Sequence, residues 1–144
     1  MNIEIRQAPF DPWGAVARHQ LSMEQAGKFG ATAVFVGSMR DFNEGARVTW
    51  MTLEHYAAMT EKHLAHLAER AMARWDIIDV LIIHRVGDVY PGDPIVLVAT
   101  WSAHRAAAYD ANRFIMEELK STAPFWKKET LREGSRWVER NTPG

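Results

Sequence analysis

Ile77-Ile78-Asp79-Val80-Leu81-Ile82-Ile83-His84-Arg85-Val86, the stretch 87–94, and Ile95-Val96-Leu97-Val98-Ala99-Thr100-Trp101 together decide how this chain folds. Both outer runs are rich in β-branched residues that suit a pleated surface, and Pro91-Gly92-Asp93-Pro94 supplies turn chemistry between them. Two neighbouring strands are expected. Working downstream, Ser102 can cap a helix that starts near His104, with Ala108, Ala111, Ile115 and Leu119 at helical spacing until Pro124 stops it. Residues 125–131 and 135–139 then read as two closing strands around Glu133-Gly134.

Upstream, Leu64, Leu67, Ala71 and Trp75 recur at spacings of three and four, which makes 59–75 a long amphipathic helix. Residues 31–37 form an apolar strand, 38–46 a polar stretch and 47–56 an alternating strand. A short strand over 2–7 and a short helix over 13–21, entered after Asp11-Pro12, complete the chain. The order β-α-β-β-α-β-β-α-β-β places paired strands between helices, which favours an α+β fold over a doubly wound parallel sheet. No repeat, low-complexity tract or linker divides residues 1–144, so a single domain is expected.

Composition removes several function classes. With 47% hydrophobic and 24% charged residues the chain has the make-up of a globular domain, and a net charge of -1 gives no global attraction to nucleic acid or anionic membrane. No apolar run approaches the roughly 18 residues that a membrane span needs, and the charged start Glu4, Arg6 does not resemble an export signal. A cytoplasmic location is expected. There is no cysteine, which excludes disulfides, cysteine-bound metal and a sulfur carried on this chain. His63 and His66 lie three apart on a helix with no matching ligand pair, so a solvated face is expected there and no metal site.

Any anion site must therefore come from local clustering of basic residues. His104 and Arg105 follow Ser102 at a helix N-terminus, where unpaired N–H groups and the helix dipole already favour an anion. An Arg105 ion pair with Asp110, with His104 merely packing, is the alternative that the pattern leaves open. Lys120 ends the same helix, where a cation can simply neutralise the C-terminus for roughly 0.3 to 1 kcal/mol. Past Pro124, strand periodicity puts Phe125, Lys127 and Glu129 on one face and Trp126 and Lys128 on the other. Arg40 opens the polar loop after Gly37-Ser38-Met39. Should Arg40, His104, Arg105, Lys120 and Lys127 converge, two of these charges about 6 Å apart at an effective dielectric near 20 would repel by roughly 3 kcal/mol. That would bring a lysine from about 10.4 toward the range of about 7 to 8 useful in acid-base work.

Six segments together carry a family resemblance: Val34-Phe35-Val36-Gly37 with Arg40, Leu53-Glu54-His55-Tyr56 with Met59, His84-Arg85-Val86-Gly87, Ser102-Ala103-His104-Arg105, Lys120-Ser121-Thr122-Ala123-Pro124-Phe125-Trp126-Lys127-Lys128-Glu129, and Trp137-Val138. In this order and spacing, over residues 31–138, the chain resembles the large, catalytic subunit of molybdopterin synthase. The resemblance implies an α/β hammerhead-like fold with additional antiparallel strands. It implies a sulfurtransferase of molybdenum cofactor biosynthesis that needs no cofactor of its own. It further implies a homodimer of large subunits within a heterotetramer, each end carrying a small ubiquitin-like subunit. The Gly-Gly thiocarboxylate tail of that subunit would give two sulfurs to cyclic pyranopterin monophosphate, forming the molybdopterin dithiolene. Cysteine is not needed here, since sulfur travels on the partner.

Carried over by position, the resemblance makes Lys120 and Lys127 the catalytic lysines. It makes Ser38, Met39, Arg40, His104, Arg105, Lys128 and Glu129 the substrate-contacting residues, and it leaves His55 and His84 structural. Two departures stand out: Asn141 occupies a position where some relatives carry arginine, with Arg140 adjacent, and the tail ends at Gly144. Competing readings are an α+β nucleic-acid-binding module using Phe125, Trp126, Lys127 and Lys128 as a stacking platform, and an inactive scaffold homologue.

Overall fold

The computed structural model describes residues 1–43, 46–55, 57–122, 125–131 and 134–137. Its elements are β1 (Asn2–Arg6), α1 (Pro12–Ser22), β2 (Ala31–Ser38), β3 (Phe42–Asn43), β4 (Ala46–His55), α2 (Ala57–Arg74), β5 (Asp79–Arg85), β6 (Gly87–Val89), β7 (Pro94–Ser102), α3 (Arg105–Thr122), β8 (Phe125–Leu131) and β9 (Gly134–Trp137). The α+β expectation holds. Two short strands escaped the sequence reading: β3 lies in the polar stretch 38–46, and β6 in the turn-rich stretch 87–94. Both are too short for periodicity to register, and only their pairing with β4 defines them. Tyr56, Pro124, Glu133, residues 138–139 of the expected last strand, Arg140, Asn141 and the tail to Gly144 lie outside the described residues.

The first sheet has the order β1-β5-β7-β2. β5 and β7 are its inner strands, paired antiparallel from Asp79 opposite Trp101 to His84 opposite Val96. Their apolar runs are nearly unbroken because both faces are covered. Val80, Ile82, Val96 and Val98 meet Leu64, Leu67, Ala68 and Ala71 of α2 and Ala111, Ile115 and Leu119 of α3. On the other face Leu81, Ile83, Leu97, Ala99 and Trp101 meet Ala15 of α1, Phe10 and Met23. α1 begins where Pro12 presets the first helical turn and the Asp11 carboxylate accepts the Trp13 N–H at 3.2 Å.

A second sheet, ordered β3-β4-β8-β9 with β6 also on β4, is joined to the first through β6. Met39, Val48, Met51, Leu53 and Val89 form the small core at this junction.

Asp79, at the start of β5, ties the first strand and the first helix to the sheet. Its carboxylate lies 3.0 Å from the Met1 ammonium and 2.8 Å from His19 Nε2, and accepts the Val80 N–H at 2.8 Å. Burial by itself raises this carboxyl, but the hydrogen bonds from the ammonium, His19 and Val80 outweigh it and hold Asp79 below the usual carboxylate range. A carboxyl depressed in the folded state stabilises above its unfolded pKa of about 3.9, and that contribution is lost as pH falls through the folded value. Asp79→Asn should therefore lower the urea midpoint at pH 7 and flatten the decline between neutrality and pH 3; an unchanged acid limb would contradict the assignment.

Candidate functional site

Three hydrogen bonds set the direction of α3, and with it the separation of His104 and Arg105 from Lys120. Thr100 Oγ1 donates to Ala108 O at 2.7 Å, and the buried Asn112 amide donates to Val98 O at 2.9 Å and to Ala33 O at 3.1 Å. Numbers rise along α3 as they fall along β7, so the helix runs back over its own preceding strand. Its last buried residue, Leu119, shares a cluster with Val96, which lies opposite Gly37 of β2. Lys120, half-buried in the last turn, therefore sits at the end of the sheet where Ser38 leaves β2 opposite Pro94.

The segment after β2 is held firmly. Met39 N–H donates to Asp93 O at 2.9 Å, and Gly92 N–H donates to Met39 O at 2.9 Å, with Gly92 at a φ of +90° that glycine adopts without penalty. The Met39 side chain is a core residue at the junction of the sheets, so its part is to seat the exposed Ser38 and Arg40 on either side of it. Arg85 braces the same corner from inside. Its buried guanidinium donates to Asp88 O at 2.6 Å and to Gln7 O at 3.3 Å, and stands 3.9 Å from the Asp93 carboxylate, which itself accepts the Tyr90 N–H at 3.0 Å. The sequence marked His84-Arg85-Val86-Gly87 only as a motif; its work in holding the turn under Met39 depends on contacts with residues distant in the chain. His84, also buried, lies 2.7 Å through Nδ1 from Arg85 O, in keeping with a structural role.

β8 reaches this end as well. Lys127 lies opposite Leu53, Lys128 opposite Thr52 and Glu129 opposite Met51, while β6 pairs Gly87 with the same Leu53. Since β5 ends one residue before Val86 and β6 follows at once, Leu53 sets Lys127 two strands away from Gly87, which follows the end of β5.

His104 and Arg105 are elsewhere. Ser102 is the last residue of β7, opposite Ala31 at the start of β2. Its buried hydroxyl donates to Asp76 O at 2.9 Å and lies 3.4 Å from His104 N, so it anchors the approach to α3 more than it caps the first turn. Gly30 N–H donates to Ser102 O at 3.0 Å, and a Cβ on Gly30 would come within 2.5 Å of Ala103 O. Both His104 and Arg105 are exposed, and among the described residues no ion pair joins Arg105 to Asp110.

From Arg105 to Lys120 is about 22 Å along the helix at 1.5 Å per residue, and β2 from Ala31 to Ser38 spans a similar distance of about 23 Å. Within one chain, His104 and Arg105 at the start of α3 therefore stand apart from Lys120 at its end by more than twice the roughly 8–10 Å screening length in physiological salt. His63, on α2, lies 2.9 Å from Thr122 Oγ1 through Nε2 near the end of α3, and burial together with His66 holds its pKa below the usual value.

Comparison with known proteins bears on this arrangement. The family described as MoaE protein matches residues 5–122. The molybdopterin synthase catalytic subunit of Ralstonia nicotianae is 50% identical over 137 residues, which is 95% of this chain and 76% of that protein. Among solved structures, the molybdopterin biosynthesis MoaE protein from Burkholderia ambifaria MC40-6 superposes with a TM-score of 0.81 at 46% identity, covering 99% of this chain and 92% of that one. Molybdopterin synthase from Staphylococcus aureus gives 0.84 at 31% identity, covering 95% and 96%.

Gly30 offers a check on how the exposed cationic turn is seated. Gly30→Ala must displace the Ala103 carbonyl, so the urea midpoint should fall by an amount corresponding to about 1–3 kcal/mol, and affinity for an anionic substrate should fall with it. Unchanged stability and KM would show that the turn adjusts freely.

Proposed function

The chain belongs to the MoaE protein family, and from that membership we propose that it is the catalytic subunit of molybdopterin synthase, working in the cytoplasm on cyclic pyranopterin monophosphate. Among the described residues no helix is long and apolar enough to cross a membrane. Sulfur would arrive on the thiocarboxylated Gly-Gly tail of a small ubiquitin-like subunit, in keeping with a chain that has no cysteine. Each transfer forms a C–S bond on the pterin side chain as a C–O bond there breaks and its oxygen departs, while a water oxygen replaces the sulfur on the tail, which leaves as a carboxylate. Residues 1–144 would act as one domain.

The observation that carries this reading is that Lys120 ends α3 at the same end of the first sheet where Ser38 and Arg40 follow β2, in a loop braced by Met39 and Arg85; Lys127 joining them is part of the proposal. Lys120 and Lys127 would serve as the catalytic lysines, polarising the thiocarboxylate carbonyl and moving protons. Ser38, Arg40, Lys128 and Glu129 would contact substrate beside them, with Met39 holding the segment in place. His104 and Arg105, at the helix N-terminus, suit the phosphate through free N–H groups and positive charge.

Because these two groups lie at opposite ends of one chain, a complete pocket would need His104 and Arg105 of a second copy beside Lys120 of the first. The working unit is then a homodimer with a small subunit at each end, a heterotetramer.

Two experiments test the reading. The purified chain, mixed with thiocarboxylated small subunit and the pterin precursor, should form molybdopterin. Lys120→Ala should reduce the rate by about 100-fold or more, the scale of a lost proton-transfer group, with its unfolding midpoint unchanged. Partner binding without turnover in the unmodified chain would instead identify an inactive scaffold. Mixing Lys120→Ala and His104→Ala chains addresses the shared pocket: each two-fold mixed dimer regains one intact site, so about a quarter of the full activity should return. No recovery above the separate variants would exclude a pocket built across two copies.

A further inference from the structure

We infer that His63 is a positioning residue: together with the β4–β8 strand pair it clamps the crossing from α3 to β8 and so fixes the spacing of Lys120 from Lys127. This deepens the functional reading above and rests on it, since the spacing matters to turnover only if those two lysines serve one substrate.

The crossing is short, and a single stretch of chain holds it at both ends. Leu119 is the last buried side chain of α3, so Lys120, Ser121 and Thr122 form a final turn beyond the core. The Ser121 and Thr122 hydroxyls donate back to the Glu117 and Glu118 carbonyls, which completes that turn with bonds internal to the helix. α2 supplies a tie from outside it: His63 Nε2 lies 2.9 Å from Thr122 Oγ1. On the far side of the crossing β8 starts at Phe125, which lies opposite His55 at the end of β4. β4 leads directly into α2, so His55 and His63 belong to one continuous segment and grip the chain at 125 and at 122. Lys120 stands two residues before this clamped span and Lys127 two residues after it. A shift of Thr122 would therefore move one lysine relative to the other.

The chemistry of the contact suits that task. The Thr122 O–H is directed at Glu118 O, so Oγ1 is left to accept, and the network assigns the ring proton of His63 to Nε2. Burial lowers the pKa of His63, and His66 and Arg70 on α2 add to this while Glu118 on α3 opposes it. At pH 7 the ring is neutral. It donates to the end of α3 without bringing a further positive charge to the turn that carries Lys120.

The test uses the chain assembled with thiocarboxylated small subunit and supplied with the pterin precursor. His63→Leu keeps the bulk of the ring and drops the donor; kcat should fall about 3–10-fold, as one lost hydrogen bond lets a reacting group drift, while KM stays within about twofold. His63→Gln carries a neutral N–H at similar reach and should restore at least half of the original kcat. Thr122→Val removes the acceptor and should match His63→Leu, and the double variant should lose no more than either alone, as two partners in one interaction do. His66→Gln, on the exposed face of α2, should leave kcat unchanged. Amide exchange at residues 120–122 should quicken in His63→Leu and recover in His63→Gln, a readout independent of turnover. Full activity of His63→Leu where Lys120→Ala is inactive overturns the clamp and leaves the catalytic lysines standing. A loss that His63→Gln does not restore, or losses that add in the double variant, overturns it too and reduces His63 to packing. If Lys120→Ala keeps full activity, the reading of the lysines fails instead; unchanged exchange in His63→Leu then overturns the clamp, and faster exchange upholds it.

Discussion

The antiparallel pairing of β5 with β7, sealed on both faces, is the constraint from which the rest of the molecule follows. Once Val80, Ile82, Val96 and Val98 must be covered on one side and Leu81, Leu97 and Trp101 on the other, α2 and α3 are committed to the first face and α1 to the second. β7 leads into α3 through Ala103 and His104, so the helix can reach its place only by folding back along its own strand. Asn112 fixes the register of that return by donating to carbonyls on both β7 and β2. Removing those donors would leave two carbonyls short of a partner in the interior, where each unmet group costs about 1–3 kcal/mol.

This one geometric fact distributes the chemistry. A helix of eighteen residues has ends about 27 Å apart, and its N-terminus attracts anions while its C-terminus favours cations. His104 and Arg105 strengthen the first tendency and Lys120 answers the second. The corner at the far end is the better built of the two, because Arg85, Asp93, Gly92 and Met39 lock the loop after β2 to the turn before β7, so Arg40 starts from an ordered backbone.

β6 explains how the second sheet is tied to the first. Three residues long, it follows β5 directly and pairs with β4, which also carries β8. Leu53 is the common point, opposite Gly87 on one side and Lys127 on the other, and it is almost wholly buried with Val48, Met51 and Val89. A strand too short to stand alone thereby sets β4 and β8 in register beside the end of β5.

The sequence by itself determined the local terms: three helices, the major strands, the α+β class and the basic residues worth watching. Period, β-branching and turn chemistry act over a few residues and can be read in order, as residues 77–101 show. It also showed where to look within the family motifs, His104-Arg105 and Lys120 above all. Only the tertiary structure decided which of these residues meet. Periodicity carries no record of α3 turning back on β7, of Gly30 leaving room for the Ala103 carbonyl, or of β6 pairing with β4, since each depends on contacts between residues farther apart than a turn of helix or a strand pair spans. Distance along the chain said that Arg105 and Lys120 shared a helix; the rigid rise of that helix is what keeps them at its two ends.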